Sequence, residues 1–219
     1  MDKKRLTGAE IIWECIIREE IDVVFGYPGG AILPTYDALN KYRDKIHHVL
    51  VRHEQGATHM ADGYARASGK VGVAMATSGP GATNMVTGLA TAKLDSIPIV
   101  CITGQVPRAA IGSDAFQEVD IYGTVLPVTK YSYLVMDIRD LASTIKEAFV
   151  VARSGRPGPV LIDIPKDIQN ETIEFVYPDE PVKLPGNNRP IRVSENQIEE
   201  AAHLINNAKK PVILAGHGI

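Results

Sequence analysis

Three runs in this chain have no polar face at all: VGVAMAT at 71–77, PIVCIT at 98–103 and PVLIDI at 159–164. A strand that is apolar on both sides must be covered on both sides, which happens when helices flank a mostly parallel sheet. Three further segments, 22–27, 46–52 and 126–135, read as strands. Between them lie stretches of helical spacing at 31–42, 55–68, 82–94 and 137–153, with Pro34 tolerable only near the start of its helix. Strand and helix in alternation predict a doubly wound α/β domain with about six mostly parallel strands and right-handed crossovers. Ahead of it, Thr7 and Glu10 are spaced as a capping box, opening a helix whose apolar positions are Ala9, Ile12, Trp13, Ile16 and Ile17. Asp137 is the expected N-cap of the 137–153 helix, with Gly155 past its end.

The alternation lapses after residue 170. Prolines at 178, 181, 185 and 190 with Gly186-Asn187-Asn188 mark an extended linker over 171–192. Ser194 and Gln197 are spaced as a second capping box, for a helix to about Ala208, and a strand is expected at 211–215 before Gly216-His217-Gly218. One helix and one strand cannot close a core. The expected organisation is a first domain over 1–170, the linker, and the start of a truncated α/β domain over 193–219. The alternative is that the final pair packs onto the first sheet.

A formal charge of −3 gives no electrostatic footprint for nucleic acid. No apolar run approaches the ~20 residues needed to cross a bilayer, and 6–21 is broken by Glu10, Glu14, Arg18 and Glu19, so it is not a signal peptide. The two cysteines, Cys15 and Cys101, lie in apolar runs and read as buried reduced thiols of a cytoplasmic protein. Familiar site signatures fail. Gly79-Pro-Gly81-Ala-Thr-Asn84 lacks the third glycine of a dinucleotide fingerprint. His53 and His59 fall on different helix faces and form no zincin pair. His53 reads as a packed or surface histidine.

What remains is a set of strand ends. Doubly wound sheets bind ligands outside the carboxyl ends of their strands, and four such ends here are unusual: GYPGGA at 26–31, RHEQ at 52–55, TSGPGATN at 77–84 and TGQVPR at 103–108. Glycines let a backbone approach a ligand closely, although a glycine pair alone also suits a tight turn. Glu54 is the one carboxylate in these segments.

These residues resemble acetolactate synthase (acetohydroxyacid synthase) large subunits, a family of thiamine-diphosphate enzymes. GYPGGAILPTYDAL, VRHEQGATHMADGYARASGKVGV, TSGPGATNMVTGLATA, PIVCITGQVP, GSDAFQEVD, VTKYSYLV and SGRPGPVLIDIPKDIQ carry the likeness, which runs from about Thr7 to the last residue. HEQ and SGPGATN are shared broadly among thiamine-diphosphate decarboxylases, oxidases and carboligases. GSDAFQE and TKYSYLV are closer to the synthases.

The resemblance implies the family's pyrimidine-binding domain followed by the start of its middle domain. It implies that pyruvate is decarboxylated and joined to a second 2-keto acid, pyruvate or 2-ketobutyrate, in branched-chain amino acid biosynthesis. Glu54 matches the family's activating glutamate, whose carboxyl exchanges a proton with the cofactor's pyrimidine ring. Tyr27, Pro28, Gly29, Gly30 and Ala31 match the loop beside the cofactor. Pro80, Gly81 and Asn84 match its pocket lining, though a structural turn and helix start would use the same residues. Phe116 and Gln117 match substrate-side positions, Pro107 and Ala115 the mouth of the substrate channel, and Arg156 a residue that contacts FAD. The family's metal-diphosphate motif, Gly-Asp-Gly with a downstream Asn, does not occur in the sequence. The Mg²⁺ ligands and most of the FAD site are therefore expected outside this chain, with no metal ligand within it. Implied partners are 2-keto acids, a second copy in a homodimer or tetramer, and a regulatory small subunit. The competing readings are another thiamine-diphosphate decarboxylase or oxidase, and a non-catalytic assembly module.

Overall fold

A computed structural model describes residues 4–184 and 194–216, which divide into two compact units, residues 1–183 and 184–219. In the first, a short strand β1 (Arg5–Thr7) leads into α1 (Gly8–Arg18). Then come β2 (Val23–Gly26), α2 (Leu33–Leu39), β3 (His47–Leu50), α3 (Glu54–Ser68), β4 (Gly72–Ala76), α4 (Pro80–Thr83), α5 (Val86–Asp95) and β5 (Ile99–Gln105). The unit continues through α6 (Ile121–Val125), β6 (Tyr131–Leu134), α7 (Ile138–Arg153), β7 (Val160–Pro165), α8 (Lys166–Asn170) and β8 (Thr172–Glu174). In the second unit the described helix is α9 (Glu195–Asn207).

Six strands form one sheet in the order β3-β2-β4-β5-β7-β6, and every neighbouring pair is parallel. The expected doubly wound fold is thus present. The runs with no polar face supply its interior strands: β4, β5 and β7 are buried along their whole length. The edge strand β3, HHVL, is partly exposed. The chain leaves β2 toward β3 on one side and β4 toward β5 on the other. The winding reverses between β2 and β4, the switch point outside whose carboxyl ends doubly wound sheets bind ligands.

The capping box at Thr7 forms as expected. Glu10 N–H donates to Thr7 Oγ1 at 3.2 Å, and Thr7 N–H donates to Glu10 Oε2 at 2.9 Å. This orients α1 so that Trp13 is fully buried, its indole N–H donating to Thr35 O at 2.7 Å. Asp137 caps α7 through Arg139 N–H. Cys15 and Cys101 are both buried and unpaired, and burial pushes their thiols above the ordinary thiol range.

Several expectations change. The helix expected over 82–94 is two helices, starting earlier because Pro80 occupies the first helical position of α4, and interrupted at Asn84 and Met85. The extended stretch expected over 126–135 shrinks to β6. Pro127 opens a single 3-10 turn at Leu126–Val128, and Thr129 Oγ1 bonds back to Val125 O at 2.9 Å. At Ser194 the N-cap position is filled, but its hydroxyl accepts no capping hydrogen bond. The strand expected at 211–215 does not form among the described residues, and Val212 and Leu214 are 93% and 98% exposed. A strand requires a partner, and the described part of this unit offers only a helix. The sequence also gave no sign of the antiparallel pair β1–β8, in which Leu6 faces Ile173.

Candidate functional site

Glu54 is the first residue of α3, immediately past the carboxyl end of β3, and is 9% exposed. His53 serves as the N-cap, its Nδ1 accepting from Gln55 N–H at 3.2 Å. That is a local structural role for the one histidine beside the carboxylate. Asn84, the C-cap of α4, donates its Nδ2 to Glu54 Oε2 at 2.9 Å. The interruption between α4 and α5 places Asn84 there. Glu54 Oε1 accepts no hydrogen bond from any described residue, and it lies 3.3 Å from where a side chain on Gly81 would begin. One carboxylate oxygen is therefore held and the other is available.

The loops after β2 and β4 meet over Thr77. Its hydroxyl accepts from Ala31 N–H at 3.1 Å, and a Cβ on Gly29 or Gly81 would fall 2.5 or 2.8 Å from Thr77 Cγ2. Ala31 is fixed from the other side as well: its carbonyl accepts from Gln169 Nε2 at 2.8 Å. Gln169 is fully buried, also donates to Ile164 O at 2.9 Å, and accepts from Thr35 Oγ1 at 2.9 Å. Gly30, between these tethers, has open space around its Cα where a Cβ would stand. Gly30 thus presents an open face, and Glu54 a carboxylate with one oxygen that accepts no hydrogen bond from the described residues.

Behind the carboxylate, Tyr36 shares a hydrogen bond of 3.1 Å with His48 Nε2. Burial, and in smaller part the charge of Glu54, pushes the Tyr36 phenol above its usual range. Burial, then neighbouring His47, lowers His48. Tyr36, His48 and Gln169 were not selected from sequence, and Thr77 entered only as the first residue of the 77–84 strand end, because each is identified by a contact with another segment.

Phe116 and Gln117, which the resemblance matches to substrate-side positions, lie on the loop after β5. Gln117 has φ +59°, and its carbonyl oxygen lies 2.5 Å from where Gly79 would carry a Cβ. Gly79 itself has φ +58°, so two constraints exclude a side chain there. The loop bearing Phe116 and Gln117 thus rests on the loop bearing Pro80 and Gly81. Phe116 is 88% exposed and Tyr27 is 43% exposed. Tyr27 N–H donates to Met75 O at 3.2 Å, extending β2 along β4. Arg156 is not brought to this edge. Its guanidinium donates to Ser96 Oγ at 2.6 Å and to Leu94 O at 3.1 Å, just ahead of β5 and β7, at the amino edge of the sheet. Among the described residues no group of three or more His, Cys, Asp or Glu side chains could hold a metal.

A second carboxyl is buried deeper. Asp163 on β7 is 1% exposed. Burial, opposed by hydrogen bonds from Thr103 and Gln105 and assisted by the charge of Asp120, raises it to about 7. A carboxyl whose folded value lies above its unfolded one favours the protonated native state. The stability it contributes is present below about pH 4 and is lost as pH rises through about 7. Opening free energies from hydrogen exchange at β5 and β7 amides should therefore fall, in wild type relative to Asp163→Asn, between these limits. A pH-independent difference would contradict this assignment.

A parallel sheet with glycine loops and a half-paired carboxylate at its switch point has the architecture of cofactor-binding α/β domains. The chain belongs to the thiamine pyrophosphate enzymes: residues 6–124 match the family described as "Thiamine pyrophosphate enzyme, N-terminal TPP binding domain". Its relatives include an acetolactate synthase of Arthrospira platensis, 54% identical over 219 residues, covering 98% of this chain and 38% of that protein. The acetolactate synthase large subunit of Corynebacterium glutamicum is 53% identical over 217 residues, covering 99% and 34%. The isozyme 1 large subunit of Escherichia coli is 52% identical over 217 residues, covering 99% and 38%. The chain thus spans little more than a third of the length of these relatives.

Proposed function

We propose that this chain is the pyrimidine-binding portion of an acetolactate synthase large subunit, and that Glu54 is its proton-exchanging group. The observation that carries this is the Glu54 carboxylate at the switch-point edge, with Oε2 held by Asn84 and Oε1 free of donors among the described residues. When bound, thiamine diphosphate supplies the electron sink for decarboxylating a 2-keto acid. The chain's own part is to hold and orient. Glu54 Oε1 gives and takes a proton at a ring nitrogen. Asn84 fixes the carboxyl's rotation. The Thr77 and Gln169 bonds keep Gly29, Gly30 and Ala31 from collapsing into the space the ring needs. Pro80 and Gly81 line the opposite wall. Phe116 and Gln117 face the incoming 2-keto acid.

In this reading the substrates are pyruvate and a second 2-keto acid, pyruvate or 2-ketobutyrate. Mg²⁺ and the diphosphate are held by residues outside 1–219. FAD is held mostly outside as well, with Arg156 as this chain's contact. We take residues 1–170 as the domain, 171–192 as the linker and 193–219 as the start of the next domain. A homodimer or tetramer fits Leu50 at the end of β3 and Met60 on α3, which are 64% and 47% exposed. A small-subunit partner is suggested by the name "large subunit" borne by relatives. No described helix is long and apolar enough to cross a membrane. The two unpaired buried thiols support a cytoplasmic location.

Full-length protein incubated with pyruvate, thiamine diphosphate, Mg²⁺ and FAD is expected to form acetolactate. Omitting thiamine diphosphate or Mg²⁺ is expected to abolish it. Decarboxylation that yields only acetaldehyde, or only acetate with oxygen consumption, would assign the chain to a decarboxylase or an oxidase instead.

A further inference from the structure

Gln105 is the last residue of β5 and is 4% exposed, and none of its side-chain hydrogen bonds to described residues goes to Glu54 or to the glycine loops. Its amide has three partners. Nε2 donates to Asp163 Oδ2 at 2.8 Å and to Val119 O at 3.0 Å, and Oε1 accepts from Val106 N–H at 2.9 Å. Asp163 is held in turn by Thr103 Oγ1 at 2.6 Å. A backbone N–H can only donate, so Oε1 must face Val106. Nε2 must then face Asp163, and its second hydrogen points at Val119 O. The amide cannot flip without losing two bonds.

Val119 closes the loop that carries Phe116 and Gln117. Within that loop the Glu118 carboxylate accepts the N–H groups of Gly112 and Ala115, the latter at 2.9 Å, folding 112–118 into one closed turn. Its floor is Gly79. A closed turn moves as a body, and Phe116, at 88% exposed, has no packing of its own to correct its place. We propose that Gln105 is a positioning residue. By tethering Val119 to the buried Thr103–Asp163 pair, it sets where Phe116 and Gln117 stand relative to the 2-keto acid. This rests on the reading of Phe116 and Gln117 as substrate-facing.

The test compares full-length wild type, Gln105→Met and Gln105→Asn, each with thiamine diphosphate, Mg²⁺ and FAD. Asn is one methylene shorter. It keeps an amide for Asp163 but cannot also reach Val119 O, so it is the variant of choice if Gln105→Met does not fold. The KM for pyruvate is expected to rise roughly tenfold, the size of one net hydrogen bond, while the affinity for thiamine diphosphate stays within about twofold. An unchanged KM in folded Gln105→Asn overturns the proposal. So does a loss of cofactor affinity in proportion to KM, which indicates general loosening. Hydrogen exchange over 111–120 provides a readout independent of turnover, expected to accelerate roughly tenfold in Gln105→Asn. If wild type forms no acetolactate, the functional reading fails while the exchange experiment still decides the tether, and unchanged exchange overturns it.

Discussion

Glu54→Gln in the full-length protein should reduce acetolactate formation at saturating thiamine diphosphate by roughly 10²–10⁴-fold or more, the range for a lost positioned proton-transfer group. The substitution is nearly isosteric. A glutamine can offer its carbonyl oxygen to Asn84 Nδ2, so the bond that holds Oε2 at 2.9 Å has a replacement. What occupies the Oε1 position is then an NH₂ group, which donates a hydrogen bond but neither releases nor accepts a proton near neutral pH. The fold has little reason to suffer. Glu54 begins α3, where a negative charge contributes only ~0.3–1 kcal/mol through the helix dipole, and His53 still caps the helix. Unchanged circular dichroism with collapsed kcat is the expected pair of results. Turnover like wild type at saturating cofactor would remove Glu54 from the mechanism.

Residues 1–219 expressed alone should form no acetolactate and bind thiamine diphosphate poorly, even when folded. The pyrimidine would find the half-paired Glu54 carboxylate and the open face at Gly30. The diphosphate is the most charged part of the molecule, and among the described residues no cluster can hold the metal it needs. Contacts to the ring must first offset the several kcal/mol lost in immobilising any ligand. A charged tail left in water adds nothing to that sum. Isothermal titration with thiamine diphosphate and Mg²⁺ distinguishes the cases: micromolar, Mg²⁺-dependent binding would show that the diphosphate site lies within this chain.

The sheet was legible because burial on both faces writes itself into sequence as an unbroken apolar run, as in β4, β5 and β7. Glu54 and Asn84 lie in segments that the strand-end pattern singles out, and one hydrogen bond joins them; their part in binding a cofactor stands as proposed above. Gln169 was not legible, since its role comes from a partner far away in sequence, Thr35 across 134 positions, and Tyr36 and His48 meet only through the packing of α2 against β3. Capping boxes show the same limit. At Thr7 the pattern forms, and Lys41 Nζ, 2.6 Å from Glu10 Oε1, holds the carboxylate where the cap needs it. At Ser194 the same spacing occurs on a helix whose described residues are all exposed, and no capping bond forms.

The small antiparallel pair β1–β8 has a consequence for how this domain comes into being. Arg5 donates to Thr172 O across 167 positions, and Phe175 N–H reaches Lys4 O. On a ribosome, the opening strand must wait unpaired until nearly the whole domain has been made. Its apolar Leu6, 2% exposed once folded, is unsheltered during that interval. The pairing also brings the segments before α1 and after α8 together. A circular permutant joining residue 4 to residue 176 by a short bridge, with new ends cut in the exposed turn at 43–45, would retain every strand of the main sheet intact.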